Sequence, residues 1–107
     1  MGTWVQGIRA LEVQGMTHAR DGRHDLARAA YQDGLNRAGA MPFPYGQARL
    51  LHAYGLLDRQ QADDAGAHAK FADALAILED LGADKDAGRL RRAIAHTPSG
   101  ENPNRAR

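Results

Sequence analysis

The stretch from Gly15 to Leu35 constrains the fold most, because it returns 40 residues downstream. Gly15, Ala27, Tyr31, Gly34 and Leu35 recur as Gly55, Ala67, Phe71, Ala74 and Leu75, each displaced by 40 (55−15, 67−27, 71−31, 74−34, 75−35). Arg9 falls in register with Arg49 and Arg89, Leu11 with Leu51, and Leu50 with Leu90. A period of this length marks a supersecondary unit that buries its apolar face only by stacking on a neighbour. Each unit reads as two antiparallel helices. Gly15 and Gly55 lie where the first helix crosses the second, since a missing Cβ allows close approach. Ala27 and Ala67 sit opposite, and Tyr31 and Phe71 follow four residues later to fill the space between units. The plainer alternative keeps the helices as an ordinary bundle and loses only the stacking rule.

Taken in order, the chain supports that division. Thr3-Trp-Val-Gln6 has the form of a capping box. Trp4, Ile8, Leu11 and Gly15 then share one helical face, while Val5, Val13 and Met16 lie off it. A helix apolar on more than one side suits either an inner position in a longer stack or cover by a second chain. Asp21-Gly22-Arg23 is a turn. The second helix spans about 24–38, with Gly39 as its left-handed stop. Met41-Pro-Phe-Pro is the longest break, and Pro44 fits the first position of a third helix ending near Arg59. Asp63 or Asp64 caps a fourth helix that ends at Leu81-Gly82. Asp84 caps a fifth, about 85–96, whose narrow apolar stripe of Ala87, Leu90 and Ile94 suits a closing helix. Residues 97–107 are polar and aperiodic and read as a disordered tail. The expected fold is therefore all-α. It is an α-solenoid of two helical hairpins plus a C-terminal capping helix within residues 1–96.

The residues Leu11, Gly15, Gly22, Ala27, Tyr31 and Leu35, followed by Leu51, Gly55, Ala67, Phe71, Ala74 and Leu75, make a pattern that resembles the tetratricopeptide repeat. Departures are visible. The family unit is shorter, about 34 residues. The usual late aromatic of the first helix is His18 in one unit and Asp58 in the next, the turn glycine Gly22 becomes Ala62, and the closing proline is out of register. The longer unit, with Met41-Pro-Phe, Ala48-Arg-Leu-Leu-His-Ala-Tyr-Gly55 and Phe71-Ala-Asp-Ala-Leu-Ala-Ile-Leu-Glu-Asp-Leu-Gly-Ala83, resembles repeats near the C-terminal end of bacterial LuxR-type ATPase transcriptional regulators. The resemblance covers about residues 8–95.

The resemblance implies a concave face lined by the first helix of each pair, which holds a peptide or a partner helix. By register the lining residues are Arg9, Glu12 and Met16, then Arg49, His52, Leu56 and Arg59, then Arg89. Three arginines at matching positions would form a basic line suited to an acidic segment. Solvated arginines paired with nearby carboxylates account for the same pattern. The asparagines with which some family members clamp a terminal carboxylate are absent, their places being taken by Val13, Met16, Ala53 and Leu56. On this reading Arg49→Glu abolishes partner capture without lowering stability.

Other classes are poorly supported. With 14 basic and 13 acidic residues the net charge is +1, without the basic excess of a nucleic-acid surface. The run Arg89-Leu-Arg-Arg92 lacks interleaved aromatics. There is no cysteine, no apolar run of the ~20 residues that span a bilayer, and no signal-peptide pattern, so cytoplasm is the default. His18, His24, His52 and His68 have no metal-ligand spacing. No phosphate loop, nucleophile elbow or acid–base pair is present, and the one serine, Ser99, lies in the tail. Neither an enzyme nor a cofactor is expected. The expected function is non-catalytic protein–protein interaction, the alternative being a remnant or domain of a signal-responsive regulator. Two units fall short of the three or so usually needed for independent stability. The chain is then either part of something larger or a homodimer formed through Trp4, Val5 and the first helix.

Overall fold

A computed structural model describes residues 2–40 and 43–96, with side chains from Gln6 onward. The described residues form five α-helices and no strand: α1 (Gly2–Arg20), α2 (His24–Ala40), α3 (Pro44–Gln60), α4 (Asp64–Leu81) and α5 (Asp84–Ala95). Each helix packs on the next in sequence, and α1 also meets α3.

The core has the 40-residue period of the sequence. One buried cluster contains Ile8, Ala27, Tyr31, Ala38 and Leu50, joined by Ala53, Tyr54 and Leu57. A second contains Ala48, Ala67, Phe71, Leu78 and Leu90, joined by Ala74 and Ala87. The five residues named first in one cluster map onto the five named first in the other by the same displacement (48−8, 67−27, 71−31, 78−38, 90−50). The two clusters are one packing solution used twice, and α5 occupies the place in the second that α3 occupies in the first.

The glycines show the repetition at atomic scale. A Cβ placed on Gly15 would lie 2.7 Å from Tyr31 Cδ1, and one on Gly55 would lie 2.7 Å from Phe71 Cδ1. Each ring therefore covers the glycine of its own hairpin, and does not sit solely between units as the sequence suggested. Tyr31 also reaches forward to Tyr54, with ring centroids 5.7 Å apart.

The turns repeat as well. Gly22 has φ +81°, and Ala62, in register with it, has φ 65°. A left-handed backbone costs a residue with a Cβ roughly 1–2 kcal/mol, so the second turn keeps its geometry at the expense of strain. Asp63 caps α4 by accepting from the Gly66 amide at 3.0 Å. Gly82, with φ 72°, ends α4, and the amides of Gly82 and Ala83 bond back to the carbonyls of Glu79 and Leu78.

Three boundary expectations need correction. Gly39 is helical and is not a stop: α2 runs to Ala40, and the next residues approach Pro42, which disfavours helix in the residue before it. Asp84 is the first residue of α5, with Ala83 at the cap position and no side-chain cap bond. Thr3 lies inside α1 rather than ahead of it. The Thr3 side chain, the surface expected at Trp4 and Val5, the Met41-Pro42 part of the break, and the tail 97–107 lie outside the described residues.

Asp58, in register with His18, is 1% exposed. Its carboxylate accepts from Arg28 of α2 at 3.3 Å and from Lys70 of α4 at 2.5 Å. Lys70 Nζ also lies 4.3 Å from the centroid of the Tyr54 ring. A buried charge needs partners, and here they tie three successive helices together.

Candidate functional site

On α3, Arg49, His52, Ala53 and Leu56 follow at helical spacing and share one face. Glu12 and Met16 do the same on α1, and Asp86 and Arg89 on α5. These residues, with Ala48 and with Leu78 of α4, line a groove of about 220 Å³. Met16 is 51% exposed and Leu56 37% exposed, so apolar surface faces its opening. Six of the eight residues expected on the lining are there: Glu12, Met16, Arg49, His52, Leu56 and Arg89.

The other two are elsewhere. Arg9 borders a shallow outer surface of α1 with Gln6, Ala10, Val13 and Gln14. Arg59 is half-buried and donates to the Ala93 carbonyl of α5 at 3.5 Å. The arginines at the three matching positions do not form one basic line.

The groove arginines are also paired. Arg49 holds Glu12 with two bonds, Nε to Oε1 at 3.2 Å and Nη2 to Oε2 at 2.9 Å. The Arg49 guanidinium lies 6.0 Å from the Tyr45 ring centroid. The Tyr45 hydroxyl donates to Asp86 Oδ2 at 2.7 Å, and Arg89 Nη1 meets Asp86 Oδ1 at 3.4 Å. A polar chain thus crosses α1, α3 and α5, and its two arginines balance its two carboxylates. The partner of Arg49 is 37 residues away, beyond the reach of any single-helix pattern. The Glu12 carboxylate is largely buried, so Arg49→Glu would set two carboxylates together and lower stability, contrary to the sequence expectation.

Burial, and then the charges of Arg49 and Arg59, hold the His52 imidazole below its ordinary range, against smaller opposing effects of Glu12 and Asp86. Its ring stands edge-on to Phe71 with centroids 5.7 Å apart. Bonding to Glu12 raises Arg49 further above neutrality. Burial, with a contribution from Glu12, pushes the Tyr31 phenol up to about 12.

Sequence reasoning missed Tyr45 and Asp86. Asp86 reads as part of a solvated face of α5, yet it lies three residues before Arg89 and so shares the groove side. Tyr45 follows a break and carries no periodic signal. Among the described residues no group of three or more His, Asp or Glu is placed to hold a metal ion. No described helix is long and apolar enough to cross a membrane. No family model, curated protein or solved structure matches the chain.

Proposed function

We propose that this chain is a non-catalytic protein-interaction module: a tetratricopeptide-like α-solenoid segment of two hairpins and a closing helix that docks a partner segment in the groove of its first helices. The observation that carries this reading is the groove itself, which is lined by the exposed apolar side chains of Met16 and Leu56 together with the charged pairs Arg49–Glu12 and Arg89–Asp86. Large apolar side chains exposed beside polar and charged groups are usual anchors of a protein interface. The doubled core supports the solenoid part of the proposal, because stacked units place equivalent faces side by side.

Site-specific photocrosslinking tests it. A photoreactive residue at Leu56 should give a discrete protein adduct in cells, and one at Gln32, on the exposed outer face of α2, should not. Equal labelling from both positions would refute the groove reading.

A further inference from the structure

The register that aligns the two cores also aligns Glu12 with His52 and Arg49 with Arg89 (52−12, 89−49, both 40). Between α1 and α3 this places a carboxylate against an arginine fork, closed by two bonds of 3.2 and 2.9 Å. Between α3 and α5 the same positions hold an imidazole and a guanidinium. The second interval has the arginine without the carboxylate.

Arg89 is correspondingly less engaged than Arg49. Its side chain is 65% exposed, and its ion pair is a single 3.4 Å contact through Nη1 to Asp86, three residues back on its own helix. Among the described residues its Nε–Nη2 edge, the edge with which Arg49 holds Glu12, makes no hydrogen bond. Asp86 also accepts a 2.7 Å bond from Tyr45, so Arg89 is not its sole partner. His52 lies on the same lining and, as a ring N–H donor, can bond a carboxylate brought to Arg89.

We propose that Arg89 and His52 form a subsite for one acidic side chain of a partner protein, in the place that Glu12 fills on Arg49 one unit earlier. The neighbouring apolar side chain of that partner segment packs among Met16, Ala53, Leu56 and Leu78. Arg89 supplies a two-bond fork and the neutral imidazole one N–H. This subsite rests on the reading of the groove as the docking face, and it assigns the chemistry of what docks there: a carboxylate adjacent to a leucine-like side chain.

The probes are two capped tripeptides, acetyl-Leu-Glu-Leu-amide and acetyl-Leu-Gln-Leu-amide, titrated into isotopically labelled protein and read by NMR at the Arg89 Nε–H and the Met16 methyl. The glutamate peptide should shift both signals and bind about fivefold more tightly than the glutamine peptide, the range of a partly exposed ion pair. Arg89→Gln, a change at an exposed position, should leave the Met16 shift and equalise the two peptides. Equal affinities for the unaltered protein would overturn the carboxylate subsite while leaving an apolar groove. Absence of shifts with either peptide would also overturn the subsite, and crosslinking at Leu56 would then decide the groove independently.

Discussion

Substituting alanine for glycine separates the packing of this chain from helix propensity. In an open helical position the change stabilises by up to about 1 kcal/mol. Gly7 and Gly88 are such positions, because a Cβ at either meets nothing within 4 Å. Gly55 is the opposite case: its Cβ would lie 2.5 Å from Phe71 Cε1 and 2.7 Å from Cδ1. Phe71 is fully buried, so its ring cannot swing clear without displacing its neighbours. Overpacking of this kind costs about 1–3 kcal/mol, so after the propensity gain Gly55→Ala should destabilise by about 1 kcal/mol. Gly15→Ala should behave alike against Tyr31. The contrast with Gly88→Ala is then about 2 kcal/mol, or roughly 10 °C in melting temperature for a domain of this size. Circular-dichroism melts would measure it. Phe71→Leu should relieve the clash, giving a favourable coupling of about 1 kcal/mol in the double-mutant cycle with Gly55→Ala. Stabilisation by Gly15→Ala or Gly55→Ala equal to that of Gly88→Ala would refute the close crossing of α1 on α2 and of α3 on α4.

Three further outcomes follow from the structure. Ala62→Gly should raise stability by about 0.5–1 kcal/mol in denaturant titration, since relief of the left-handed strain outweighs the unfolded-state entropy that glycine adds. Arg49→Ala should lower stability by about 2 kcal/mol, because it leaves the buried Glu12 carboxylate without its fork, and Glu12→Gln combined with it should recover part of the loss. The unfolded chain takes a proton at His52 near pH 6.5, which the folded chain resists, so this contribution to stability is complete above about pH 6.5 and is lost as pH falls through the folded value. His52→Gln should flatten that part of the stability profile measured by melts across pH.

The elements were legible because their signals are local. Gly22, Pro44, Asp63 and Gly82 act within a turn of themselves, and Tyr31 and Phe71 stand out at a fixed period. Gly39 misled because an exposed glycine is tolerated in a helix that has not yet met Pro42. The groove positions were legible from register. Their electrostatics were not, because the partner of Arg49 lies on another helix and Asp58 binds residues of α2 and α4. No spacing rule joins such pairs before the helices are stacked.

The most direct test of the docking face compares two substitutions in binding to the partner found by crosslinking. Leu56→Glu puts a charge among the apolar side chains of the groove, whereas Val13→Glu puts one on the outer surface of α1. Affinity should fall at least about tenfold for Leu56→Glu, the loss of a central anchor, and stay unchanged for Val13→Glu. Loss with Val13→Glu and full binding with Leu56→Glu would move the interface to the outer face of the first helix and contradict the account.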